Sequence, residues 1–262
     1  GVGNDTIQGD EAGLDGDFIT DLTVNDTIII NNYAHETVFA NFSPDNTTLR
    51  IDVDRSGSAD GTGDISIKVD PDMGAALVVG KIDYKQYDNV TIKFTEKTVV
   101  DLNGGDGGND NTAAFTEGDS PVKIAPSASV TDLENGKVEV ITVMLTNDQD
   151  GVSEGLNVTA AAQNKLTGVS GATDITRQDY ISVTGASATV DQVQAFLREI
   201  TYNNVSQDPN TTTNREVTVV VTDNNNVDSI LRKSTISVTA VNDPPAVIGT
   251  IGQSPDFTEG TA

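Results

Sequence analysis

Short segments rich in Val, Ile and Thr recur along the whole chain, and clusters of Gly, Asn and Asp separate them. β-Branched residues suit the pleated, half-buried surface of a sheet, whereas Gly, Asn and Asp supply the turns. The pattern predicts an all-β chain. Strands are expected at Phe18–Leu22, Thr48–Val53, Ile65–Val69, Val90–Phe94, Val138–Leu145, Val217–Thr222 and Ser234–Val241. In Ser234–Val241, Ile236 and Val238 share one face while Thr235, Ser237 and Thr239 share the other. That is the half-buried pattern of an antiparallel sheet.

One stretch departs from this period. Val193, Phe196, Leu197 and Ile200 fall at i, i+3, i+4 and i+7, which is one face of a helix. Thr189 followed by Gln192 has the spacing of a capping box. A short helix near 190–199 is therefore expected, leading into a strand near Ile200–Asn203.

Composition removes many functions. The chain has 262 residues, enough for two domains at roughly 150 residues each. There is no Cys, so disulfides, Cys-ligated zinc and thiol nucleophiles are excluded. His35 is the single histidine, which leaves little for acid–base machinery or His-based metal sites. No His-Glu-x-x-His, Gly-x-Ser-x-Gly or phosphate-loop motif is present, and the chain is not expected to be an enzyme. A net charge of −25 opposes binding to nucleic acid or an anionic membrane. No apolar run approaches the 20 or so residues that span a bilayer, so membrane insertion is not expected. Without an initiator Met or a signal segment at its start, the chain reads as part of a longer protein.

The acidic residues are lopsided, at 30 Asp to 10 Glu. Short carboxylates in loops suit oxygen-ligand sites for a hard cation, above all Ca²⁺; Asp is also an ordinary turn former. Two loops carry ligand-like spacing. Asp52-Val-Asp54-Arg-Ser56-Gly57-Ser58-Ala-Asp60 sets oxygen side chains at alternate positions with Gly at the sixth. The twelfth position is Gly63 where an EF-hand needs Glu, and the flanks read as strands. The loop is then either a β-hairpin calcium loop or an acidic turn. Gly1-Val-Gly3-Asn4-Asp5-Thr6-Ile7-Gln8-Gly9-Asp10 resembles one turn of the nonapeptide repeat of RTX proteins, in which Asp carboxylates such as that of Asp5 meet Ca²⁺ between stacked coils. The plain alternative is a Gly/Asn turn.

Phe115-Thr116-Glu117-Gly118 recurs as Phe257-Thr258-Glu259-Gly260, 142 residues later. A repeat at that spacing suggests an array of domains. The resulting division is an RTX-like turn at 1–11, an N-terminal β module at 12–100, a linker at 101–111, a whole repeat at 112–247, and at 248–262 a linker with the start of the next repeat. Asp101 and Asn103 of the Gly/Asn/Asp linker are further metal candidates.

The 112–247 stretch opens with Phe-Thr-Glu117-Gly and carries the acidic pair Asp132-Leu-Glu134. It continues through Asp191-Gln-Val-Gln-Ala-Phe-Leu-Arg-Glu-Ile-Thr-Tyr-Asn203, ends a strand with Val-Val-Val-Thr222-Asp223, and closes on Val-Asn242-Asp243-Pro-Pro. In that order these pieces resemble the cadherin-like repeats of giant bacterial surface proteins. The resemblance implies tandem β-sandwiches of the Ig/cadherin type with Ca²⁺ at their junctions. Glu117, Asp132 and Glu134 would be ligands from the module, Asn242 and Asp243 from the linker, and Glu259 from the following module; Asp223, at its strand end, is a further metal candidate. It further implies a secreted or cell-surface bacterial protein exported by type I secretion. Such a segment would serve adhesion or biofilm attachment, with neighbouring repeats of the same chain as its partners and a host-cell, surface or glycan ligand beyond them. The competing expectation is a calcium-dependent binding module that recognises a sugar or peptide through residues 12–100, with the Asp52–Asp64 loop as the candidate place.

Overall fold

A computed structural model describes residues 4–23, 25–33, 40–52, 65–69, 77–83, 88–105, 107–132, 137–169, 172–177 and 179–243. The chain is mostly β with several mixed sheets. Its first part holds β1 (Thr6–Gly9), α1 (Glu11–Leu14), β2 (Phe18–Ile19), β3 (Thr27–Tyr33), β4 (Ala40–Phe42), β5 (Thr48–Ile51), β6 (Ile65–Val69), β7 (Leu77–Asp83) and β8 (Asp88–Glu96). These form two four-stranded sheets, ordered β1-β3-β8-β7 and β2-β6-β5-β4. Ile28, Ile30, Leu49, Ile51, Ile65, Ile67, Val90, Ile92 and Phe94 fill one core between Leu14 and Phe94.

The second part runs through β9 (Val99–Asp101), β10 (Asn111–Thr116), β11 (Val122–Lys123), β12 (Ser129–Thr131), β13 (Lys137–Leu145), β14 (Glu154–Asn157), α2 (Ala160–Lys165), β15 (Ala172–Arg177), β16 (Tyr180–Thr189), α3 (Val190–Leu197), β17 (Thr201–Asn204), β18 (Arg215–Asp223) and β19 (Arg232–Thr239). A six-stranded sheet β10-β19-β18-β13-β16-β15 and a three-stranded sheet β11-β17-β14 enclose a separate core, while β9 pairs with β12. Strand alternation explains this core: β18 buries every second residue, with Val217, Val219 and Val221 at 0% exposure.

The helix expected near 190–199 is α3. Its N-cap Thr189 accepts from the Gln192 amide, and the Gln192 side chain bonds back to the Thr189 amide, completing the capping box. Val193, Phe196, Leu197 and Ile200 are all fully buried. α1 and α2 are too short to show a helical period, and the sequence pattern had pointed to neither.

The antiparallel pattern read at Ser234–Val241 holds on one side of that strand: β19 pairs antiparallel with β18 but parallel with β10, and β1–β3 and β2–β6 are parallel too. A strand with one dry and one wet face alternates identically in either direction, so periodicity carries no information on pairing sense. Within 101–111, the stretch expected as a linker, Leu102 packs into the second core. Val100 and Leu102 belong to that core, Asp101 pairs with Ser129, and Leu102 N–H donates to the Asn109 carbonyl at 2.8 Å.

Candidate functional site

The densest polar constellation in the described residues is one that sequence reading passed over. Arg215 opens β18 in phase with its buried valines, and its side chain is 0% exposed. A buried guanidinium persists only when paired and fully hydrogen-bonded. Its Nε donates to Glu154 Oε2 at 2.8 Å and its Nη2 to Asp150 Oδ2 at 2.6 Å. Its Nη1 donates to the carbonyls of Asn210 (2.6 Å) and Thr213 (2.8 Å). Glu154, at the start of β14, also accepts from the Tyr202 hydroxyl, the Asn204 amide (3.4 Å), and the backbone N–H groups of Gln149 and Asp150. Asp150 accepts from the Asn204 side chain (2.7 Å) and from Asn210 N–H (3.0 Å). Tyr202 lies edge-on to Phe115, with ring centroids 5.6 Å apart.

The electrostatics follow from these bonds. Burial pushes the Glu154 carboxyl up, but the hydrogen bonds from Tyr202, Arg215 and the Asp150 and Gln149 amides outweigh it and hold the group below its ordinary 4.5. Burial and the bond to Glu154 together push the Tyr202 hydroxyl well up. Burial pulls the Arg215 guanidinium down, and its anionic partners more than restore it. The signal in the sequence was an Arg in register with three buried valines in a chain holding only 15 cations.

A second constellation lies along the chain where it passes from β8 to β9. Glu96 ends β8; Thr98, 1% exposed, donates its hydroxyl to Asp132 Oδ2 at 3.1 Å. Burial, and then repulsion from Asp132, push the Glu96 carboxyl above its ordinary 4.5. Past β9, Asp101 Oδ1 accepts from the N–H groups of Asn103 and Gly104 at 2.9 Å each, and the Asn103 amide nitrogen donates to the Asp110 carbonyl at 3.0 Å. The Asn103 amide oxygen is buried and accepts no hydrogen bond. A buried acceptor left bare costs stability, so a cation at that oxygen would supply its missing partner.

The remaining ligand candidates are dispersed. Glu117, 8% exposed, accepts from Val241 N–H at 2.8 Å, beside the exposed Asn242 and Asp243. Asp132 sits at the other end of β19: Arg232, which opens that strand, donates Nε to the Val100 carbonyl of β9, the partner of β12. The 8 residues of β19 span roughly 23 Å, so Glu117 and Asp132 stand at opposite ends of that strand. Asp223 is 1% exposed, and its Oδ1 accepts from the N–H groups of Asn225 and Val227, which makes it a turn former. Asp5, with Asp17, Asp21, Asp26 and Phe18, lines an open cleft of about 420 Å³. Asp52 is buried at the end of β5. Asp54, Ser56, Asp60, Glu134 and Glu259 lie outside the described residues. Among the described residues, no three acidic or histidine side chains converge on a point that could hold a metal ion.

No family model matches the chain, and comparison with curated proteins and with solved structures finds no match either.

Proposed function

We propose that this chain is a calcium-stabilised structural and adhesive segment of a large secreted or surface-bound bacterial protein, built from Ig/cadherin-like β-sandwich units in series. One observation carries the reading: oxygen-bearing side chains flank the second unit's strands. Glu96 and Asp132 lie by the Val99 end of the β9–β12 ladder, Asp101 and the bare Asn103 oxygen by its other end, and Glu117, Asn242 and Asp243 past the Thr239 end of β19. Joints between serial units are where such an array needs cations. Ca²⁺ takes six to eight oxygen ligands. The described residues supply part of such a set at each of these places, and neighbouring repeats of the same chain would complete it. Bound Ca²⁺ would relieve the repulsion within a chain of net charge −25 and add stability by mass action.

The test is thermal unfolding with and without chelator, followed by calorimetric calcium titration. A large chelator-induced fall in melting temperature with two or more ions bound supports the reading. An unchanged melt with no binding heat overturns it and leaves a calcium-independent β spacer.

A second reading, a binding module for a sugar or peptide in the first unit, draws on the open cleft at Asp5, Asp17, Asp21 and Asp26 with the 63% exposed Phe18 ring beside it. Glycan and peptide arrays, each run with and without chelator, separate it from a pure spacer.

A further inference from the structure

We propose that the Arg215–Glu154–Asp150 network is an acid-released latch that holds the edge strand β14 and the 205–214 loop against the second unit. β14 is the outer strand of its three-stranded sheet and pairs with β17 alone among named strands. What fastens the turn before it is polar: Asp150 and Glu154 grip Arg215, Asn204 grips Asp150, and Val205 N–H donates to the Ser153 carbonyl at 2.7 Å. The same guanidinium holds the carbonyls of Asn210 and Thr213, so one buried cation ties three chain segments together.

The chemistry of the cage sets its response. The groups hydrogen-bonded to Glu154 all donate to it: the Tyr202 hydroxyl, Arg215 Nε, the Asn204 amide, and the N–H groups of Gln149 and Asp150. The titratable and charged groups facing it are Asp150 on the preceding turn, Tyr202 on β17 and Arg215 on β18. A protonated Glu154 places an O–H among donors and withdraws one of the two anions that offset the guanidinium. The sign follows from its lowered folded value. The latch is at full strength above about pH 4.5 and weakens as pH falls through that lower value. Release would leave β17 as a bare strand edge beside Tyr202 and Phe115, open to protease or to another strand. Because its cation is covalently part of the chain, the latch answers to protons and not to chelator. This inference is independent of the calcium reading.

Amide hydrogen exchange on the intact chain between pH 7 and pH 3, corrected for intrinsic rates, tests it. Val205 and Asn210, whose N–H groups bond across the latch, are the reporters. Ile124 and Ser229, bonded to Ile200 and Val221 in the same unit, are the controls. The expected result is reporter exchange that is flat above pH 4.5 and then rises by up to about tenfold per pH unit, with controls unmoved and no effect of chelator. Tyr202→Phe removes one donor to Glu154 and should move the onset to higher pH, while Glu154→Gln should abolish the pH dependence. Reporters that stay flat, that rise only together with the controls, or that open on chelation overturn the proposal.

Discussion

Replacing Arg215 by Met keeps the bulk and apolar stem of the side chain and removes only its charge and donors. Glu154, whose side chain is 0% exposed, then loses its cation but keeps Tyr202, Asn204 and two backbone donors. Asp150, at 11% side-chain exposure, keeps Asn204 and Asn210 N–H and some water. The Thr213 carbonyl belongs to an exposed residue and can rehydrate. Breaking a buried pair from one side costs about 3–5 kcal/mol. The donors that remain put Arg215→Met at the low end, about 3 kcal/mol. Set against a typical domain stability of about 5–15 kcal/mol, that is a large fraction. Urea unfolding at pH 7 would register it as a lower midpoint with an unchanged slope. The double variant Arg215→Met/Glu154→Leu removes the cation together with its fully buried anion, leaves Asp150 to its Asn204 and Asn210 donors and its partial exposure, and should recover part of the loss. Two results would refute this reasoning. One is a single variant that loses under about 1 kcal/mol, which would make the network energetically idle. The other is a double variant no better than the single, which would place the cost in packing and not in stranded charge.

Two further perturbations probe the segment from β8 to the 101–111 stretch. Glu96→Gln removes a carboxylate whose charge is disfavoured by burial and by Asp132, so the chelated protein should melt higher than its parent and gain less from added calcium; a lower melting temperature in chelator would contradict the assignment. Gly104 has φ +72°, and a Cβ there would stand 2.3 Å from the Ser127 carbonyl oxygen, whereas Gly105, at φ +109°, has open space around it. Gly105→Ala should therefore cost only the backbone strain, about 1–2 kcal/mol, and Gly104→Ala clearly more; equal losses in urea unfolding would mean that the 101–111 segment is not pressed against Ser127.

How much of this was legible depended on the range of the interaction. Ile65–Val69 forms the expected strand, and Val90–Phe94, Val138–Leu145 and Val217–Thr222 lie inside slightly longer ones, because alternation is a local property. The capping box at Thr189 and Gln192 was readable for the same reason: its partners sit three residues apart. The Asp-rich pattern marked many carboxylates, but not their employment. Asp223 bonds to its own turn, and Glu117 to the amide of Val241, 124 residues away. The first could have been inferred from turn chemistry, and the second could not.

By itself, then, the amino-acid order determined the strand-rich class, the amphipathic helix near 190–199 with its cap, and a net charge of −25. These follow from local periodicity, near-neighbour hydrogen bonds and summed charge, all of which exist before the chain closes on itself. Only the tertiary structure decided that β1–β3, β2–β6 and β10–β19 run parallel, that Leu102 is core, and that Asp132 and Glu117 lie at opposite ends of β19. It alone brought Asp150, Glu154, Tyr202 and Asn204 around Arg215, 61 residues beyond Glu154. Such choices are made by burial, which requires every desolvated charge and backbone group to find a partner wherever the chain can bring one. No local pattern records where that partner will come from.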